Sequence, residues 1–527
     1  MAMATATPSR SGLTQGRHGR GTARKIAIAV LVVCVGIGAI AFGMSRAWPF
    51  AEGQVLRDLR EASDSQVQVR GFRQTYFPSP GCVVEGLVFH HEPGEAKPLI
   101  TIEKLTIQGS YLGLLAMRVG RITAEGMVVT IPPFDTHAKF HTARSKITIG
   151  EIVANGAVVQ FGTDTPNKKP LRFEIHEADL QNVGWAGAMS YRVKVGNPSP
   201  PGEVSAQGKF GVWNLADAGE TPISGTYKFE RADLSVYGGI AGTLESDGKF
   251  AGKLAHIDIE GTTDAPDFKV QSSSHTVRLT SRFSAYVDAT KGDTYLKQVD
   301  ADFLKTHVVA EGSIVTSADG KGKTALIDVR AKNARIEDLL LLFVEAKQSP
   351  MTGTVGLHAK VEVPPGDDGF LTKLKLRGGF GLAGGMFSSA STQQGVDKLS
   401  AGAQGEKKKD DAEAGTALAD LDGRVNIAGG VAKFSDLSFW IPGAHARVEG
   451  TYNLINYKID LRGRLRVDTK LSDTTSGTRS VLLKMVDPIF RKKRQGEVVP
   501  VKIEGTYDHP TFGLDLEDKR AEKGRRQ

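Results

Sequence analysis

From Val67 onward the chain alternates between apolar and polar positions. Met127, Val129 and Ile131 are separated by Val128 and Thr130, and Leu437, Phe439 and Ile441 by Ser438 and Trp440. Phe512, Leu514 and Leu516 are spaced by Gly513 and Asp515. A period of two sends one set of side chains to an apolar face and the other to water, so these runs predict β-strands with one covered face. Asn155-Gly156, Asp247-Gly248 and Gly429-Gly430 punctuate the runs as turn signals. The fold class expected is mainly β, a long antiparallel meander of many short strands.

Two kinds of segment break this pattern. Residues 54–63 place Val55, Leu56 and Leu59 on one side and Arg57, Asp58, Arg60 and Glu61 on the other, predicting a short amphipathic helix. Ile336, Leu339, Leu340 and Phe343 also have helical spacing, with Asn333 as N-cap and Pro350 beyond the end. Residues 480–486, stopped by Asp487-Pro488, predict a further short helix. Residues 388–418 are rich in Ser, Gln, Ala and Gly and contain the run Lys407-Lys408-Lys409-Asp410-Asp411, which predicts a flexible loop.

The chain repeats itself. Residues 259–268 (IEGTTDAPDF) match residues 503–512 (IEGTYDHPTF) at seven of ten positions. Physically this is a strand, a Pro/Asp turn and a returning strand with an inward Phe. Hairpins converge on such turn chemistry, but a match this dense favours duplicated β units.

Near the start, residues 26–44 carry no charge over 19 positions, among them Ile26, Val30, Val33, Ile37, Ile40 and Met44. At about 1.5 Å per residue they make roughly 28 Å of helix, enough for a hydrocarbon core. Five bases and no acid precede them, which predicts a cytoplasmic N-terminus with everything after residue 44 across the membrane. A cleaved signal peptide competes with this reading, but Ser45-Arg46-Ala47-Trp48 is a poor cleavage site and Trp48 suits an interface.

Composition narrows the classes. Sixty-one glycines, few aromatics and 24% charged residues argue against a helical array or coiled coil. The formal net charge is +8, of which residues 1–25 hold +5 and residues 517–527 hold +2, leaving +1 for the body. No basic face for nucleic acid is therefore expected. Two cysteines exclude a disulfide scaffold.

Candidate chemistry is sparse. His90-His91-Glu92 would be the best metal group, but neighbours on a strand point to opposite faces. Gly322-Lys323-Thr324 lacks the first glycine of a phosphate loop. Ser246 and Lys249 have Ser-x-x-Lys spacing in a turn-like stretch. Gly-x-Ser-x-Gly and His-Glu-x-x-His are absent from the sequence. No catalytic, cofactor-binding or metal-binding residue is assigned, and an enzyme is not expected. Arg491, Lys492, Lys493 and Arg494 read either as a patch for anionic headgroups at a membrane surface or as a solvated turn.

Several fragments, taken in order, resemble one family. They are the single anchor and amphipathic helix, residues 99–108 (LITIEKLTIQ) with 112–115 (LGLL) and 122–129 (ITAEGMVV), then 421–431 (LDGRVNIAGGV), 439–452 (FWIPGAHARVEGTY) and 499–512. This order resembles the AsmA-like family, the AsmA, TamB and YhdP type of bridge-like lipid transport protein. The resemblance implies an elongated, curled, taco-like β-groove standing on the inner membrane of a Gram-negative-type bacterium, in the periplasm. Phospholipid and membrane are the implied partners, with outer-membrane or periplasmic proteins at the far end. It divides the chain into a basic tail (1–25), an anchor (26–44), an N-terminal β/helix region (50–135), groove repeats (136–387), a loop (388–418), a C-terminal β region (419–516) and a charged tail (517–527). The groove-lining candidates are Met127, Val129, Ile131, Val425, Ile427, Leu437, Phe439, Ile441, Val501, Ile503, Phe512 and Leu514, each of which also fits an ordinary core strand. About 30 strands at about 4.8 Å would make a groove on the order of 140 Å. The alternative from another class is a periplasmic scaffold for outer-membrane protein assembly working through exposed strand edges.

Overall fold

The computed structural model describes residues 50–63, 65–90, 98–115, 118–131, 148–161, 171–184, 187–212, 214, 217–237, 239–270, 273, 275–317, 322–343, 347–366, 368–388, 393, 397, 419–442, 444–467, 498–506 and 509–514. The predicted anchor, the helix at 480–486 and the basic group 491–494 lie outside them. Among the described residues no helix is long and apolar enough to cross a membrane.

Among the described residues, helix α1 (Glu52–Ser63) is followed by 27 strands. The first nine are β1 (Gln66–Gln68), β2 (Gly71–Thr75), β3 (Gly81–His90), β4 (Ile100–Gly109), β5 (Arg118–Glu125), β6 (Val128–Ile131), β7 (Thr148–Val153), β8 (Ala157–Phe161) and β9 (Leu171–Val183). Helix α2 (Tyr111–Leu115) joins β4 to β5. The middle runs through β10 (Met189–Pro198), β11 (Pro201–Phe210), β12 (Pro222–Asp233), β13 (Ile240–Ala241), β14 (Thr243–Lys253), β15 (His256–Val270), β16 (Val277–Asp288), β17 (Asp293–Phe303), β18 (Thr306–Thr316) and β19 (Lys323–Arg335). Helix α3 (Ile336–Phe343) leads to β20 (Met351–Val363), and α4 (Phe370–Lys373) to β21 (Lys375–Phe387). The end is β22 (Ala419–Ala428), β23 (Val431–Ile441), β24 (Ala444–Asn453), β25 (Lys458–Val467), β26 (Val498–Thr506) and β27 (His509–Leu514).

From β9 to β27 the chain is the expected antiparallel meander, each row hydrogen-bonded to the next. The exception lies nearer the start, where β5 runs parallel to β7 and β6 parallel to β8. Parallel neighbours cannot be joined by a two-residue hairpin, so these rows depart from the simple meander. Four pairs of strands share a row: β1 and β2 beside β3, β5 and β6 beside β4, β7 and β8 beside β9, β13 and β14 beside β15. The 27 strands therefore form 23 rows, or roughly 105 Å at about 4.8 Å per row. The described rows thus span less than the 140 Å expected from sequence.

Every second row from β12 to β23 carries one extra residue opposite its neighbour. The bulges fall at 230–231 in β12, 266–267 in β15, 297–298 in β17, 332–333 in β19, 383–384 in β21 and 435–436 in β23. Arg231, Asn333 and Asp436 take positive φ there (53°, 55° and 54°), as does Gly384. Each bulge bends its own strand and adds local twist.

This corrects three expectations. Asn333 is not the N-cap of α3; it is the left-handed residue of the β19 bulge, two residues before the strand ends. Asp247-Gly248 is not a turn but the middle of β14. Pro266-Asp267, in the first copy of the repeat, is a bulge inside the single strand β15, whereas in the second copy β26 ends at Thr506 and β27 begins at His509. Proline has no N–H to give the ladder, so it is tolerated either where pairing is broken or where the chain turns.

The tightest packing is at the N-terminal end. Phe50 and, from α1, Val55 and Leu59 are at most 1% exposed and lie on a core with Leu87, Ile100, Leu105, Ile107, Ile122 and Ile149. Elsewhere the buried clusters are small and made of neighbouring strands, as with Leu437, Ile441, Ala444, Ala446, Val448 and Leu465. Helix α3 covers a local patch, Leu342 packing with Val270, Val277 and Phe303 while Asp338 accepts from Lys305 N and Thr306 Oγ1, both at 2.9 Å.

Candidate functional site

Residues paired across a ladder share a face, so register traces what each face presents. One such line crosses 22 successive rows without a charged residue. It starts Cys82–Ile107–Ile122–Ile152 on β3, β4, β5 and β7. It continues Leu180–Tyr191–Gly208–Gly225–Phe250–Ile259 from β9 to β15. Ala285–Leu296–Gly312–Ile327–Val361–Leu376 carry it to β21. Ile427–Ala432–Tyr452–Ile459–Gly505–Pro510 complete it on β27.

A second line, two residues along each strand and three on β17 where the bulge intervenes, behaves the same way. From β16 to β21 it is Phe283–Val299–Ala310–Val329–Ala359–Gly378. From β22 to β27 it is Val425–Phe434–Gly450–Leu461–Ile503–Phe512. One residue over, the opposite face reads Lys228–Asp247–Thr262–Arg282–Asp300–Val309–Arg330–His358, polar but for Val309. The sheet is amphipathic along its whole meander.

Burial along the first line falls off beyond the N-terminal core, with Ala285 and Ala432 buried again further on. Cys82, Ile107, Ile122 and Ile152 are at most 2% exposed beneath the N-terminal core. From Leu180 on, most members are only half-buried. The apolar face is covered at one end and partly open beyond it.

The electrostatics suit an uncharged surface. Burial pushes the Tyr191 phenol up to about 12, and burial followed by the nearby Asp247 charge raises that of Tyr227, so both stay neutral. Burial likewise raises the Cys82 thiol to about 12. Polar side chains on this face include Ser246, Thr263 and Ser281, and each has a local hydrogen-bond partner. The Tyr227 hydroxyl lies 3.0 Å from Ser246 Oγ, Ser246 donates to the Thr262 carbonyl at 2.9 Å, and Thr263 Oγ1 is 2.6 Å from Ser281 Oγ.

Of the residues singled out from sequence, Val425 and Ile503 lie on the second line and Ile427 on the first. Leu437 and Val501 share a third line through Val448 and Gly463, and Phe439 and Ile441 lie on the same face of β23. Backbone register sets Phe512 opposite Ile503 and Leu514 opposite Val501. Met127 and Val129 are elsewhere, 5% and 3% exposed inside the packed N-terminal core, and Ile131 ends β6 beside them. The sequence reading missed the middle third, including Tyr227, Phe250, Phe283 and Val329. There glycines and hydroxyls dilute the alternation, and bulges reverse its phase. Phe434 and Leu437 stand three apart yet share a face because Asp436 bulges between them.

Other candidate chemistry resolves into structure. Lys323 of the phosphate-loop-like triplet meets Asp293 Oδ1 at 2.5 Å and donates to Thr316 Oγ1 at 2.9 Å. A depression of about 690 Å³ lies against Asp247, Lys249, Glu260, Arg282 and Asp300 of the polar face. Among the described residues no three His, Cys, Asp or Glu side chains are grouped to hold a metal ion. No family model, curated protein or solved structure matches the chain.

Proposed function

We propose that the chain is a membrane-anchored lipid carrier, with phospholipid acyl chains lying along the apolar face of the sheet and headgroups kept at its wet margin. The observation that carries this reading is the unbroken apolar line from Cys82 to Pro510. An ordinary single sheet hides its apolar face under a second layer, whereas this one is half-open over most of its rows. Acyl chains match a long, uncharged, half-open strip, and sliding along it needs no catalytic group. Residues 26–44 supply the anchor, with the sheet on the periplasmic side and direction set by supply and removal of lipid at the two ends.

A photo-crosslinking residue at Phe434 or Val329, in the full chain expressed in a Gram-negative host, tests the proposal. Adducts with phospholipid at both positions, and none at His358 on the opposite face, are the expected result. Equal labelling of the two faces, or protein adducts alone, would sink it.

A scaffold function has one observation in its favour. Among the described residues β27 pairs on one side only, leaving an edge open to strand addition. Protein adducts confined to β27 would favour that reading.

A further inference from the structure

Four large apolar side chains stand in water at one end of the first rows. Phe77 is 85% exposed and Leu112 81%, with Tyr76 at 52% and Tyr111 at 50%. They occupy two adjacent connections, residues 76–80 between β2 and β3 and helix α2 between β4 and β5. The Tyr111 hydroxyl donates to the Tyr76 carbonyl, and Gly109 N donates to the Pro80 carbonyl at 2.8 Å. The two connections therefore form one surface. An exposed patch of this kind marks an interaction site.

The chain itself indicates what covers it. Phe50 is fully buried, and its ring lies under α2's approach: a Cβ on Gly109 would stand 3.0 Å from Phe50 Cζ. Phe50 is six residues past Met44, the last residue of the uncharged run. Six residues span at most about 21 Å. The patch is thus held close to wherever residues 26–44 end. Arg118, exposed at the start of β5 just after α2, adds a positive charge at the same end.

We propose that Phe77 and Leu112, flanked by Tyr76 and Tyr111, form a membrane-docking surface that dips into the same bilayer that residues 26–44 cross, with Arg118 toward the lipid phosphates. The two apolar side chains enter the acyl boundary and the tyrosine hydroxyls stay at headgroup depth. A single helix leaves a protein free to swivel about its connection. A second contact close beside it fixes how the sheet stands. The proposal rests on residues 26–44 being an anchor and does not depend on lipid moving along the sheet.

The test uses the full chain carrying Cys34→Ala, reconstituted into vesicles of phosphatidylethanolamine and phosphatidylglycerol. Nitroxide labels are placed singly by Phe77→Cys and Leu112→Cys, with Leu304→Cys and Ile455→Cys, exposed apolar positions far along the chain, as references. Buried Cys82 stays unlabelled. Collision with oxygen should exceed collision with a water-soluble nickel chelate several-fold at 77 and 112 relative to 304 and 455. Labels at 77 and 112 as wet as the references, in a chain that resists alkaline carbonate, overturn the docking surface alone. A chain that carbonate strips from the vesicles overturns the anchor and the docking surface together.

Discussion

Gly248 of β14 pairs directly with Gly261 of β15, and the Tyr227 ring lies across both. A Cβ on Gly248 would meet Tyr227 Cε1 at 2.9 Å, and one on Gly261 would meet Tyr227 Oη at 2.7 Å and the Asp247 carbonyl at 2.6 Å. The two glycines make room for an aromatic ring to lie flat on the apolar face. Gly261→Val should therefore displace Tyr227 and cost about 1–3 kcal/mol of stability through overpacking. Urea unfolding followed by tyrosine fluorescence checks this, and an unchanged midpoint would show that the ring moves freely.

Charge on the apolar face should stop lipid transfer without unfolding the sheet. Ile503 and Val425 are half-buried, so Ile503→Asp and Val425→Asp leave the new carboxylate partly wet. Transfer of phospholipid between donor and acceptor vesicles is expected to fall at least tenfold. Arg330→Ala and Lys228→Ala, on the opposite face, should transfer as the parent does. Equal effects from the two faces would separate transport from this surface.

Cys82 makes stability depend on alkaline pH. Burial raises its thiol from 9.0 to about 12 in the fold, so above pH 9 the unfolded chain loses a proton that the folded chain keeps. The stabilising difference is fully present below pH 9 and is lost between pH 9 and 12, at up to about 1.4 kcal/mol per pH unit. The difference in unfolding midpoint between the parent and Cys82→Ala should shrink as pH rises from 8 to 10.5. A constant difference would mean the thiol is reached by water.

Lys323 and Asp293 form a pair shielded from solvent, their side chains 8% and 12% exposed. Burial opposes ionisation of Asp293, but the Lys323 ammonium and the Thr316 N–H and hydroxyl outweigh it and hold the carboxyl below its ordinary 3.8. This stability is present above pH 3.8 and is lost as pH falls through the lowered value. Lys323→Met leaves a buried carboxylate without its cation, held only by Thr316, and should cost about 3–5 kcal/mol. Adding Asp293→Asn should recover much of that in thermal unfolding. No recovery would mean that Lys323 acts through its packing instead.

The alternation of Leu437, Phe439 and Ile441 made the C-terminal strands legible, because each position there is large and apolar. Further in, the same face is built from Gly248, Ala310, Ala359 and Gly378, whose small side chains give a periodicity search little to count. Asp247-Gly248 carries the chemistry of a turn, yet pairing on both sides keeps β14 extended. Asn333 is as well suited to a left-handed bulge as to a helix cap, and only the ladder decides between them. The parallel pairing of β5 with β7 and of β6 with β8 leaves no mark in the pattern, since strand direction does not alter which side chains alternate.

One bulge in every second row means that a two-strand unit is repeated from β12 to β23, each touching chiefly its neighbours. Such a molecule is closer to a ladder of identical rungs than to a globule with a centre. Gain or loss of one unit changes the length of the sheet by about 10 Å and leaves its apolar face continuous. The length of the sheet is thus a heritable quantity, adjustable in steps of one hairpin.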